Sequence, residues 1–146
     1  MIQGLFQSGS LAVTEKLVQF TGARHAVITH NIANLSTPHF RPRDLDPKAF
    51  QTQLAKAVDE RRTRLARGAG GRDLRMKDSR QVKNGPNGLE TRPETLDENI
   101  LFHDRNNRDL ERTMQDLAEN TMAHTAGLEL LKSDFEILKI AIRGRV

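Results

Sequence analysis

The sequence predicts a mainly α-helical protein with long N- and C-terminal helices, a short second helix and a loop-rich, Gly/Arg-rich middle. Three observations carry this. Leu110, Met114, Leu117, Thr121, His124, Leu128, Leu131, Phe135, Leu138 and Ile142 alternate spacings of four and three without a slip, as a coiled-coil seam does. Val13, Leu17, Phe20, Val27, Ile28, Ile32 and Leu35 fall on one face when each residue turns about 100°. Between these ends, residues 59–99 hold only Leu65, Leu74, Val82, Leu89 and Leu96 from among Leu, Ile, Val and Phe, so the folding information is expected at the two ends.

The first helix is expected over 11–35. It should stop at Asn34-Leu35-Ser36-Thr37-Pro38, because Pro38 pushes Thr37 out of the α region and Asn34 tolerates a left-handed exit. Arg24 and Asn31 share its apolar face. A sealed core does not tolerate such groups unpaired, so a polar layer in a helix bundle is expected there. Asp46-Pro47 reads as an N-cap followed by Pro at the first helical position, opening a helix from 47 to about 66 through Phe50, Leu54, Val58, Arg61 and Leu65. Gly68, Gly70, Gly71, the stretch Asn84-Gly85-Pro86-Asn87-Gly88 and Pro93 then make 67–99 a loop, with room for a hairpin around Asn84-Gly85. The last helix is expected from about 108 to 143, roughly 54 Å at 1.5 Å per residue. Asn107 is its candidate N-cap, Asp109 and Glu111 suit its first turn, Lys139 and Arg143 suit its last, and Gly144 can stop it.

The chain thus divides into 1–45, a helix and elbow; 46–99, a short helix and basic loop; and 100–146, the heptad helix. At 146 residues this makes one domain, with or without a flexible segment. Two long amphipathic helices with a poor middle cannot enclose a core, so their stripes are expected to be buried against other copies or other chains.

Several function classes are disfavoured. With no Cys there are no disulfides, thiolate metal sites or Cys nucleophiles, and with six Phe but no Tyr or Trp, aromatic platforms for bases or sugars are scarce. His25 and His30 are five apart, unlike an i, i+4 ligand pair; His103-Asp104 is a lone dyad; no Ser or Thr has a nucleophile setting. No metal, cofactor or enzymatic activity is expected. No apolar run approaches the roughly 18 to 20 residues of a membrane span, and Met1 to Thr14 lacks the form of a cleavable signal peptide. Residues 61–83 carry nine Lys/Arg against Asp73 and Asp78, a local charge of +7 within a chain of net +4. A solvated linker is the favoured reading of this run. Contact with an acidic neighbour or lipid headgroups comes next, and nucleic acid, for want of interleaved aromatics, last. A basic helical nucleic-acid-binding protein remains the alternative to an assembly protein.

Residues 30–40 read His-Asn-Ile-Ala-Asn-Leu-Ser-Thr-Pro-His-Phe, which resembles the Asn-Ile-Ala-Asn-x-x-Thr-Pro-Gly-Tyr signature of bacterial flagellar rod and hook proteins. Asp109-Leu110-Glu111, Leu117-Ala118-Glu119-Asn120-Thr121, Leu130-Leu131 and Leu138-Lys139 are similar to the C-terminal end of proximal-rod members of that family. The resemblance covers about 11–50 and 100–143. His39-Phe40 stands where the family has Gly-Tyr, and Asp104-Arg105-Asn106-Asn107-Arg108 where it has Asp-Gly-Asn-Asn-Val.

The resemblance implies a non-enzymatic subunit of the proximal rod of the flagellar basal body, stacked helically around the export channel to transmit torque. Its terminal helices would pair as a coiled coil, with 100–146 against 11–35 as one helical domain. It implies export through the flagellar type III apparatus without a cleaved signal, to the periplasmic side of the basal body. Implied partners are copies of itself, other rod proteins, the junction protein FliE, the export gate and the membrane ring. The expected assembly interface comprises Leu17, Phe20, Val27, Asn31, Ile32, Asn34, Thr37 and Pro38 in the first segment. In the last segment it comprises Leu110, Met114, Leu117, Leu128, Leu131, Phe135, Leu138 and Ile142.

Overall fold

A computed structural model of the chain describes residues 9–68, 74–86, 88–95 and 110–144. Their elements run α1 (Gly9–Ala33), β1 (Arg43–Asp44), α2 (Pro47–Ala66), β2 (Val82–Gly85), β3 (Gly88–Thr91), β4 (Glu94–Thr95) and α3 (Leu110–Arg143). The chain is mainly helical, with two two-stranded ladders, β1 with β4 and β2 with β3. The expected N-cap Asn107, Asp109 in the first turn, the His103-Asp104 dyad and the 104–108 turn lie outside the described residues.

α2 begins as its sequence dictates. Asp46 sits in extended conformation and its carboxylate accepts from the Lys48 and Ala49 backbone N–H groups, while Pro47 takes the first helical position. Phe50, Leu54, Ala57 and Arg61, spaced four, three and four, are its buried face. α1 ends at Ala33. The Asn34 amide donates back to the His30 carbonyl at 2.9 Å and the Asn34 carbonyl accepts from the Thr37 N–H at 2.9 Å, so the exit is tied before Pro38 arrives. Gly144, at φ 62°, ends α3 in the left-handed conformation.

The core corrects one expectation. Phe20 of α1 stacks on Phe50 of α2, ring centroids 4.0 Å apart, and around them lie Leu45, Leu54, Ala57, Leu74, Met76 and Val82. The supposedly empty middle therefore supplies three core residues. Leu74 and Met76 are two apart in an extended segment, which places both side chains on one side, and Val82 opens β2 beside them. A low count of apolar residues is enough when an extended strip lies across two helices that have already buried most of the remaining surface. Two helices alone would not have enclosed this core; α1, α2 and the middle together do.

The hairpin expected near Asn84-Gly85 is β2 and β3, pairing Val82 with Thr91, Lys83 with Glu90, Asn84 with Leu89 and Gly85 with Gly88. Side chains fasten it. Gln19 of α1 accepts from the Leu89 N–H at 3.1 Å. Asn84 donates to the Met76 carbonyl at 2.6 Å and to Asp78. The β1–β4 ladder, Arg43 with Thr95 and Asp44 with Glu94, was not legible from the sequence. It is two residues long, and Gln81 reinforces it by accepting from the Asp46 N–H and donating to Glu94.

Candidate assembly interface

α3 lies antiparallel along α1, as Ser10 with Asp134, Thr21 with His124 and Arg24 with Asp116 record. The contact is made of small and polar residues at its centre. The Thr21 hydroxyl has one proton, which the Leu17 carbonyl accepts at 2.8 Å. Across the helix pair, Thr21 Oγ and His124 Nδ1 share a hydrogen bond at 2.8 Å. The buried Asn120 amide donates to the Thr21 carbonyl at 2.9 Å. Gly127 lets the helices close, since a Cβ there would stand 3.1 Å from a Val18 methyl. Thr14, also buried, is satisfied within α1 by the Ser10 carbonyl.

The elbow after α1 is locked from the helix it leaves. The Asn31 side chain donates to the Arg43 carbonyl at 2.6 Å and accepts from the Arg43 N–H at 3.1 Å, as a neighbouring strand would. Two turns earlier on that face, Arg24 grips Asp44 with two bonds of 3.0 and 2.9 Å and reaches Asp116 of α3 at 3.4 Å. Burial by itself would lower the Arg24 pKa. The hydrogen bonds and charge of Asp44, helped by Asp116, outweigh it and hold the guanidinium above its ordinary value. The polar layer anticipated from Arg24 and Asn31 thus exists, but its partners lie chiefly in the elbow of the same chain.

The elbow also explains the family signature. His39 has φ 60°, the left-handed region in which a Cβ costs about 1–2 kcal/mol and glycine costs nothing. The position where the resembled signature has Gly is thus one whose backbone favours it. Phe40, in place of Tyr, meets His30 edge to face at 5.6 Å.

The anticipated interface residues separate into three groups. Phe20 and Asn31 are buried in the chain's own fold, and Leu17, Val27, Ile32 and Asn34 are half-buried. Thr37 and Pro38 are exposed on the elbow. On α3 the heptad pattern splits: Leu117, Leu131 and Leu138, with His124, turn towards α1 beside Asn120, Gly127 and Asp134. Leu110, Met114, Leu128, Phe135 and Ile142 remain 44 to 67% exposed. The physical reason is the pull of α1 and the elbow. Thr21 and Arg24 draw Asn120 and Asp116 inward, rotating α3 so that one line of the heptad meets α1 and the other faces out.

The basic run is likewise not a unit. Arg61 is buried on the core face of α2. Lys77 pairs with Glu60 at 2.8 Å, and Arg62 lies 3.8 Å from Asp59 on an exposed turn. Asp44, Asp116, Asn120 and Gly127 escaped the reading from sequence. Polar and small residues add nothing to an apolar periodicity, although Asn120 and Gly127 do repeat at seven residues. Among the described residues no three His, Cys, Asp or Glu side chains group as a metal site. No described helix is long and apolar enough to cross a membrane.

Comparison with known proteins places these features in one lineage. No family model matches the chain. It is 30% identical over 136 residues to the flagellar basal body rod protein FlgB of Cereibacter sphaeroides, covering 92% of this chain and 94% of that protein. It is 25% identical to the protein of the same name from Aquifex aeolicus, covering 90% of each. The protein of that name from Borrelia hermsii is also 25% identical, over 92% of this chain and 96% of its own length. These similarities span α1, the elbow, the middle and α3 together, so the likeness is one of whole chains: the protein belongs to the FlgB family of flagellar basal body rod proteins.

Proposed function

We propose that the chain is a structural subunit of the proximal rod, polymerising helically around the export channel and transmitting torque. The observation that carries this is the set of exposed apolar side chains on α3, Leu110, Met114, Leu128, Phe135 and Ile142 among them, in a chain related over nine-tenths of its length to rod proteins. A fold that satisfies its own core yet leaves nine large apolar side chains exposed on one helix is built to bury them elsewhere. In this reading α1 and α3 form a coiled-coil pair, and Thr37 and Pro38 present the elbow to a neighbour. Other rod proteins, FliE, the export gate and the membrane ring are its surroundings on the periplasmic side. It reaches that place through the type III apparatus without a cleaved signal. The exposed Arg67 is available to an acidic neighbour there.

Deletion of the gene, followed by imaging of basal bodies, tests the proposal. Non-motile cells lacking rods and hooks are expected, with recovery on re-expression. Complete rods in the deletion strain would overturn it.

A further inference from the structure

α3 meets α1 along two rows of side chains, each recurring every seven residues. One row, Leu117, His124, Leu131 and Leu138, has leucine in three of its four places. Apolar packing there does not distinguish one position of α3 from another seven residues away. The other row is Asn120, Gly127 and Asp134, and no two of its members are alike. Each meets a different group of α1. The Asn120 amide donates to the Thr21 carbonyl at 2.9 Å, Gly127 leaves room for Val18 and Leu17, and the Asp134 carboxylate accepts from the Ser10 hydroxyl at 3.2 Å. Asp116, four residues before Asn120, reaches Arg24 at 3.4 Å.

We propose that this second row, with Asp116, is a key that fixes the axial position of α3 on α1. Sliding α3 by seven residues either way breaks it. In one direction Asp134 takes the place of Gly127 and sets a carboxylate against the Val18 and Leu17 side chains, while Gly127 takes the place of Asn120 and brings no amide to the Thr21 carbonyl. In the other direction Asn120 takes the place of Gly127, where even a Cβ stands 3.1 Å from a Val18 methyl, and Ser10 faces a glycine. Both slides draw Asp116 away from Arg24. Polar residues in an otherwise apolar seam fix register in this way, by making the wrong alignments worse. The position has a consequence at the end of the helix. Ser10 lies level with Asp134, so the residues from Phe135 to Arg143 reach about 14 Å beyond it. They carry Phe135, Ile137, Ile140 and Ile142, 49 to 67% exposed. A slip of seven residues would present these side chains about 10 Å from their place. The key lies wholly within one chain and is independent of its reading as a rod subunit.

The chain has no cysteine, so paired nitroxide labels can be placed without background. In the full-length chain, His25→Cys and Glu136→Cys put labels on two exposed positions about 25 Å apart along the helix axes. Pulsed electron paramagnetic resonance, at a dilution where each label senses only its own chain, then reads the axial position of α3. One narrow distance is expected. Asp116→Ala, Asn120→Ala, Gly127→Ala and Asp134→Ala together make the row uniform. Circular dichroism should show helicity kept, while the distances split to include a population displaced by about 10 Å. A second variant moves the key along by seven residues: Ala123→Asp, Gly127→Asn, Asp134→Gly and Ala141→Asp together should shorten the main distance by about 10 Å. A distance unchanged in either variant, or a broad distribution with no preferred spacing in any of the three chains, would overturn the key.

Discussion

The elbow end of α1 and the free end of α3 put similar residues to opposite uses. At the elbow, Phe20, Leu45 and Phe50 are sealed, and the polar Arg24 and Asn31 beside them each find partners across the chain. On α3, Phe135, Ile137 and Ile140 face outward, and the charged groups among them are left without partners in the chain among the described residues. One region is satisfied within the chain, and the other leaves large apolar side chains exposed. An amphipathic helix does not announce which of these it serves; the polar residues around it do, according to whether their partners lie in the same chain.

The largest expected effect breaks the comparison at its sealed end. Phe50→Ala removes a ring stacked on Phe20 in a fully enclosed site and should cost about 3–5 kcal/mol in urea unfolding. Phe135→Ala, at the open end, should stay within about 0.5 kcal/mol by the same measurement while reducing rod assembly seen by imaging. Equal losses of stability in the two variants would erase the distinction.

Arg24→Leu comes next. It leaves Asp44 and Asp116 without the cation between them, at a cost of about 3 kcal/mol, and it should free the elbow from both helices. Hydrogen exchange at Arg43 and Asp44 should rise more than exchange in α2. Asn31→Leu removes two bonds to the Arg43 backbone and should cost about 1–2 kcal/mol with helicity kept. Its effect on assembly follows from a loosened elbow, because the amide's partner is in its own chain; unchanged Arg43 exchange would sink that account.

His39→Gly should sharpen the elbow by about 0.5–1 kcal/mol, the relief of a left-handed Cβ less the added freedom of the unfolded chain, read as a rise in the urea midpoint. The smallest effect is at Asp78. The Asn84 backbone N–H, then the Asn84 side chain, hold its carboxyl below the usual carboxylate range. Its contribution is therefore fully present above the ordinary carboxylate pKa and fades as pH falls through the lowered one. Amide shifts of Asn84 followed by NMR on acidification should titrate below the usual range, and Asp78→Asn should abolish that titration.

Much of the fold was legible because it is local. The bounds of α2 follow from Asp46, Pro47 and the Phe50–Leu54 spacing, and α1 stops near Asn34 and Pro38 as backbone sterics require. The core was harder to read, since Leu74, Met76 and Val82 sit in a stretch whose composition says loop. Their burial depends on an extended segment crossing two helices distant in sequence. The α1–α3 contact was half legible: ten positions of heptad pattern mark α3 as amphipathic without saying which line meets α1.

What the sequence determined by itself was the helices, their caps and the turn signals, because hydrogen bonds within a few residues and φ preferences decide them. What only the tertiary structure decided was the rotation of α3 about its axis. Thr21 with Asn120 and His124, and Arg24 with Asp44 and Asp116, are contacts between residues 20 to 103 apart in the chain. Polar pairing across such separations has no periodicity to betray it, yet it fixes which apolar line meets α1 and which is left exposed.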